Sequence, residues 1–120
     1  MEDRQFEFLV AELFEKKGYK VTPTPQTWDG GKDIFILEEK IIGTFLYYVE
    51  CKKNAPERPV GVRVIRELYG TLTHDRATAG IVVTSSFFTK PAKSFVEKIK
   101  HQMSLIDFLQ LIKCIEDLKQ

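Results

Sequence analysis

The stretches DIFILE (residues 33–38) and IIGTFLYYVECK (residues 41–52) decide how this 120-residue sequence folds. Both are dense in β-branched and aromatic residues, which suit a pleated, half-buried surface. Glu39 and Lys40 lie near a turn between them, so the two strands are expected to form a β-hairpin. Asp33 opens the first strand, and Glu50 and Lys52 end the second. Side chains alternate along a strand, so Glu50 and Lys52 share a face. In a hairpin the start of one strand lies beside the end of the other. Two carboxylates and an ammonium are therefore expected to converge at one edge of a sheet.

Upstream, Phe6, Leu9, Val10, Leu13 and Phe14 recur at spacings of three and four, which predicts an amphipathic helix over 3–18. Asp3 is its expected N-cap and Gly18 its stop. A short strand over 19–23 follows, with Tyr19 and Val21 on one face, and QTWDGGK (26–32) reads as a loop. Downstream, KNAPERP (53–59) breaks the pattern. A helix is expected from Val60 to about Thr78, and GIVVT (80–84) has the continuous apolar run of a strand buried on both faces. Thr89 caps a further helix with Pro91 in its first turn, running to about His101. A last strand covers 104–107, and Asp107 caps a helix over 108–118 with Leu109, Ile112 and Ile115 on one side. Strands alternate with helices only in the second half. The sheet should therefore be mixed, an antiparallel hairpin followed by parallel additions.

The length suits one domain, expected over 1–120 with no internal linker or separate specificity domain. With 43% hydrophobic and 29% charged residues the chain is neither disordered nor collagen-like. No apolar run approaches the ~20 residues that span a bilayer. MEDRQFEF at the start has no secretory pattern, and Cys51 and Cys114 have neither metal-site nor disulfide spacing. A reducing, cytoplasmic location with no membrane partner is the expectation. The net charge of +1 excludes a generally basic nucleic-acid coat but allows a local basic patch.

The acid-x-Lys string occurs four times, at Glu15–Lys17, Glu38–Lys40, Glu50–Lys52 and Asp117–Lys119. Only Glu50–Lys52 follows an apolar strand and has an acid at the start of the neighbouring strand. Two carboxylates and the backbone carbonyl of Cys51 between Glu50 and Lys52 are hard oxygen donors suited to Mg²⁺, with Mn²⁺ as a substitute. A divalent cation lowers the pKa of water, and Lys52 could hold that water or neutralise charge developing on a phosphate. The plain alternative is a surface ion pair of Glu50 with Lys52 or Lys53.

The run Asp29-Gly30-Gly31-Lys32-Asp33 followed by Val49-Glu50-Cys51-Lys52 resembles the PD-(D/E)xK nuclease signature, and the Mrr-like restriction endonucleases match best. The resemblance extends almost end to end. It includes Phe6-Glu7, Gly18-Tyr19 with Val21, a helix carrying Val62, Arg66, Glu67, Leu68, Tyr69 and Gly70, then Gly-Ile-Val-Val-Thr, Phe88-Thr89 with Ala92, and Leu105-Ile106-Asp107. It implies a three-layer α/β restriction-endonuclease-like core and Mg²⁺-dependent DNA phosphodiester cleavage. Asp33 and Glu50 would be metal ligands and Lys52 the catalytic lysine. A first-helix glutamate often joins the metal site in this superfamily. Glu7 is the matching residue, with Glu12 as competitor on a different helix face. One departure is Glu50 itself, where Mrr-like proteins often carry Gln. The acidic form is commoner across the superfamily, and it leaves room for a Holliday-junction resolvase-like or repair-type nuclease. A rival of another class is a non-catalytic DNA-binding module on the same fold. Intact Asp33, Glu50 and Lys52 argue against it.

Lys53, Arg58, Arg63 and Arg66 lie between the catalytic strand and the next helix and are expected to contact DNA phosphates. Trp28 is expected to pack under its loop rather than stack on a base, and Asp29 to serve the turn. The resemblance makes Thr84, Ser85 and Ser86 structural or phosphate-contacting. His74 and His101 lack metal-partner spacing and should be exposed. The Cys51 side chain should point away from Glu50 and Lys52. No P-loop or GxGxxG is present, so neither an NTPase nor a dinucleotide enzyme is indicated. A homodimer and a separate specificity domain or subunit are further expected partners.

Overall fold

The computed structural model describes residues 2–23 and 33–119. Its elements are α1 (Asp3–Lys16), β1 (Val21–Pro23), β2 (Ile34–Lys40), β3 (Gly43–Lys52), α2 (Val62–Asp75), β4 (Ala79–Thr84), α3 (Lys90–Glu97), β5 (Met103–Ile106) and α4 (Phe108–Asp117). The five strands form one sheet in the order β1-β2-β3-β4-β5. β1, β2 and β3 pair antiparallel, and β3, β4 and β5 pair parallel. This is the mixed sheet that the sequence predicts.

Two apolar layers cover the sheet. On one face Phe6, Val10, Leu13 and Phe14 of α1 and Leu111 of α4 pack on Ile34, Ile36, Val49 and Val83. On the other, Ile65, Leu68 and Leu72 of α2 and Ala92 and Val96 of α3 pack on Tyr48, Val82 and Met103. Tyr48 and Val49, neighbours on β3, face opposite layers, as period-two alternation requires. Gly80 allows a close approach of α2 and β5 to β4. A Cβ there would stand 2.7 Å from Leu72 Cδ2 and 2.9 Å from Met103 Sδ.

The local signals act through identifiable bonds. After Lys17, Gly18 takes φ 98°. Its N–H donates to the Glu15 carbonyl and that of Tyr19 to the Phe14 carbonyl, both at 3.0 Å. The Tyr19 and Phe14 rings meet edge-on at 5.9 Å, the apolar contact that accompanies such a Schellman cap. Thr89 accepts from the Ala92 N–H, and Asp107 from the Gln110 N–H. Both therefore cap their helices as the sequence indicates.

Several expectations are corrected. Glu2, not Asp3, takes the N-cap position of α1, and its N–H donates to Gln5 Oε1 at 2.8 Å. Tyr19 belongs to the helix cap rather than to a strand. The hairpin turns at exposed Ile41–Ile42, two residues beyond the expected place. α2 starts at Val62 because Val60 bridges to the segment after β4 instead. α3 ends at Glu97, short of His101. α4 buries Leu111 and turns Cys114, Ile115 and Leu118 toward the core. Leu109, expected inside, is 66% exposed. Both stripes of α4 are apolar, so periodicity alone does not choose between them.

Candidate active site

The pairing of Ile34 with Val49 brings Asp33, just before β2, opposite Glu50. Two main-chain bonds fix Asp33. Its N–H donates to the Val49 carbonyl at 2.9 Å, and its Oδ2 accepts from the Cys51 N–H at 2.7 Å. A strand residue's N–H and C=O point to the same side. The Cys51 carbonyl is thus directed toward Asp33 rather than into the β3–β4 ladder. The Cys51 side chain joins the α1–α4 layer, away from Glu50, as alternation predicts.

A polar cavity of about 320 Å³ opens at this end of the sheet, lined by Asp3, Glu7, Asp33, Glu50, Cys51, Lys52, Lys53 and Asn54. Glu7 of α1 therefore reaches the acid pair. Glu12 does not: it is exposed, ion-paired with Lys16 at 3.1 Å, and faces an apolar groove between α1 and α4. Sequence reasoning misses Asp3 and Asn54. Asp3 sits one helical turn before Glu7, and that i, i+4 spacing is a legible signal.

Glu50 is only 2% exposed, and its Oε2 has no hydrogen-bond partner among the described residues. A surface ion pair with Lys52 or Lys53 is excluded by this burial. Desolvation pushes the Glu50 pKa up to about 8; Lys52 opposes the shift, while Asp33 and Glu67 add to it. The Asp33 carboxyl is likewise raised by burial, against the pull of the Cys51 N–H and Lys52. Glu7 is raised by burial and by the Asp33 charge. Three carboxyls thus converge on one pocket that disfavours their charge, a condition a cation would relieve. Among the described residues no group of three or more His, Cys, Asp or Glu side chains is placed to hold a metal ion by itself. The donor set is instead two carboxylates and a carbonyl beside open space. It fits a Mg²⁺-like ion that keeps several of its own waters.

The expected phosphate contacts lie just past the end of β3, on the loop that follows it and on α2. Lys53 lines the cavity. Arg58 is exposed on the loop after β3, where Asn54 Nδ2 donates to its carbonyl at 3.0 Å. Arg63 is exposed on α2, with Glu67 at 3.7 Å. The Arg66 guanidinium lies 5.6 Å from the centre of the Phe95 ring, toward α3. His74 and His101 are exposed, and His74 Nδ1 lies 3.1 Å from Asp75. Trp28 and Asp29 fall outside the described residues.

A mixed sheet flanked by four helices, with an acid pair and a lysine at the end of the central hairpin, is the architecture of a restriction-endonuclease-type nuclease domain. The family model for the Mrr catalytic domain, described as restriction endonuclease, matches residues 1–115, and the chain belongs to that family. It is 34% identical over 109 residues to the uncharacterized protein y4cE of Sinorhizobium fredii. It is 29% identical over 113 residues to the type IV methyl-directed restriction enzyme EcoKMrr of Escherichia coli. These matches cover 89% and 90% of this chain but only 28% and 36% of the two relatives. Two solved structures share the fold. The DNA modification-dependent restriction endonuclease AspBHI has a TM-score of 0.77 at 19% identity, over 97% of this chain and 31% of its own. The MspJI restriction endonuclease, in complex with a 27-mer oligonucleotide, has a TM-score of 0.71 at 19% identity, over 92% and 27%. The family generally uses a divalent metal.

Proposed function

We propose that this domain hydrolyses DNA phosphodiester bonds with a divalent cation, Mg²⁺ or Mn²⁺, held by Asp33, Glu50 and the Cys51 carbonyl, with Glu7 as a further acid from α1. The observation that carries the reading is the buried Glu50 Oε2, which has no hydrogen-bond partner among the described residues and lies at a polar cavity beside Asp33. An enzyme fold retains such a group at a cost in stability when a ligand satisfies it.

When bound, the cation supplies the charge that ionises water near neutral pH and draws electron density from the phosphate. Asp33 is held through its own N–H and its Oδ2, so its carboxylate is presented in a fixed direction. Lys52, two residues along β3 from Glu50, lines the same cavity, and its charge acts on both Glu50 and Asp33. There it orients the attacking water and neutralises charge gathering on the non-bridging phosphate oxygens. Lys53, at the cavity wall, holds a flanking phosphate, and Arg58, Arg63 and Arg66 add phosphate contacts further out.

A plasmid cleavage assay with titrated Mg²⁺, Mn²⁺ and Ca²⁺ tests the reading. Mg²⁺ and Mn²⁺ should support cutting, Ca²⁺ should bind without supporting it, and Asp33→Ala should abolish activity with the circular dichroism spectrum retained. Full activity in excess EDTA, or in the Asp33 variant, overturns it.

A further inference from the structure

The loop 53–59, KNAPERP, leaves the catalytic strand and walls the cavity through Lys53 and Asn54. It contains Pro56 and Pro59, which lack N–H groups, so it cannot prolong the β3–β4 ladder in the ordinary way. The ladder's last pair is Lys52 with Thr84. Beyond it, three consecutive hydroxyls take over. Thr84 Oγ1 donates to the Lys52 carbonyl at 2.7 Å. Ser85 Oγ accepts from the Asn54 N–H at 3.0 Å and donates to the Asn54 carbonyl at 2.8 Å. Ser86 Oγ donates to the Pro56 carbonyl at 3.1 Å. The partners step by two, at 52, 54 and 56, the period of a strand. Main-chain bonding resumes at Val60, whose N–H donates to the Phe87 carbonyl at 2.8 Å. The Lys52 carbonyl also accepts from the Ser85 N–H at 3.2 Å, so it is held twice.

We infer that Thr84, Ser85 and Ser86 are positioning residues for the cleavage reaction: they fix the Lys52–Asn54 backbone so that the Lys52 ammonium and the cavity wall hold their places against the scissile phosphate. The consequence for catalysis rests on the nuclease reading; the consequence for structure rests on the hydrogen bonds alone. Ser85 is the most informative member. It makes two bonds to one residue of the cavity wall, and it is only partly buried, so its loss leaves the core intact. Thr84 and Ser86 are fully buried, and the Ser86 N–H donates to Thr84 Oγ1 at 3.0 Å, which makes them part of the same unit.

The test compares wild type, Ser85→Ala and Ser85→Thr at a temperature where all three are fully folded. Ser85→Ala should lower single-turnover kcat about 10- to 100-fold, the scale of a misplaced catalytic group. KM for DNA and the calorimetric Mn²⁺ affinity should be unchanged, and Ser85→Thr, which restores the hydroxyl, should recover most of the rate. In a Lys52→Met background Ser85→Ala should cost nothing further. Amide hydrogen exchange of Asn54, read without substrate, should quicken about tenfold or more in Ser85→Ala and return in Ser85→Thr. Unchanged kcat with quickened exchange overturns the positioning role, and unchanged exchange overturns the structural clamp. If the wild type proves not to cleave, the nuclease reading fails, and the exchange measurement still decides the clamp.

Discussion

Replacing Glu50 by Gln should make the metal-free protein more stable while destroying its activity. Burial raises the Glu50 pKa to about 8, from an ordinary glutamate value of 4.5. At pH 7 the native protein therefore keeps this carboxyl mostly protonated, whereas the unfolded chain ionises it. Holding a proton about 2.5 units above the unfolded pKa costs about 3 kcal/mol at ~1.36 kcal/mol per unit. Gln is neutral at every pH and removes that cost. Its buried amide also wants a partner, a penalty of about 1–2 kcal/mol. The net gain at pH 7 is then about 1–2 kcal/mol. The sign with pH follows from proton counting. Between pH 4.5 and 8 the native state binds more protons than the unfolded state, so stability from this group is full below pH 4.5 and is lost as pH rises through 8. Asp33 and Glu7 shift in the same direction, and comparison of wild type with Glu50→Gln isolates Glu50 from them. Urea unfolding in EDTA at about pH 5, 6, 7 and 8 measures the difference. The wild type should lose on the order of 3 kcal/mol relative to the variant across that range. Added Mg²⁺ or Mn²⁺ should restabilise the wild type, most strongly at high pH where no proton must be expelled, and leave the variant unmoved. A gap that does not change with pH, or a variant less stable than wild type at about pH 8 without metal, would refute the reading of Glu50 as a carboxyl kept protonated by burial.

Three further outcomes follow from the same geometry. Lys52→Met should keep calorimetric Mn²⁺ binding, since both carboxylates and the Cys51 carbonyl remain, while single-turnover cleavage falls by orders of magnitude, a drop of ~2–4 kcal/mol in transition-state stabilisation; disappearance of metal binding as well would make Lys52 structural. Gly80→Ala should lower stability by about 1–3 kcal/mol, read as a fall in the thermal midpoint, because its Cβ would meet Leu72 and Met103 inside van der Waals distance. Neutralising Arg58, Arg63 and Arg66 together should flatten the salt dependence of DNA binding by about one unit for each phosphate that is no longer neutralised. Since Arg66 is drawn toward Phe95, a slope change nearer about two than three is expected, and an unchanged slope would place the DNA elsewhere.

The parts of the fold that are legible in the sequence are those in which one local signal has one solution. Gly18 after a helix, Thr89 before Pro91 and Asp107 before an apolar run each admit a single cap, and each is found there. The hairpin is legible because two strand-like runs flank a gap too short for anything else. The charged pair Glu39–Lys40 reads as a turn, yet both residues continue β2, and the chain reverses at Ile41–Ile42, just before Gly43 at φ 146°. The inner face of α4 is not legible, because Leu109 and Ile112 compete with Leu111 and Cys114 on apolarity while Ile115 fits either stripe, and only packing in the layer beneath decides. The acid pair is legible from alternation and register together. Asp3 is legible only once Glu7 is taken as a site residue, through their i, i+4 spacing on α1, whereas Asn54 is placed by the course of the loop after β3 and has no such signal.

The same distinction explains why spacing alone leaves Glu50 open to a surface ion pair. Spacing puts Glu50 and Lys52 on one face but says nothing of depth, and depth governs the chemistry. An exposed Glu–Lys pair is worth ~0–1 kcal/mol and has no cause to bind anything. The same carboxyl at 2% exposure, opposite Asp33 and without a partner on Oε2 among the described residues, is a standing cost that packing does not relieve. Around it the backbone is heavily secured: Asp33 by Val49 and Cys51, and the Lys52–Pro56 segment by Thr84, Ser85 and Ser86. A rigid frame about an unsatisfied acid is what a site needs if it is to meet a cation without rearranging. Stability given up at Glu50 and rigidity gained around it are two sides of one requirement, and the Glu50→Gln and Ser85→Ala variants separate them.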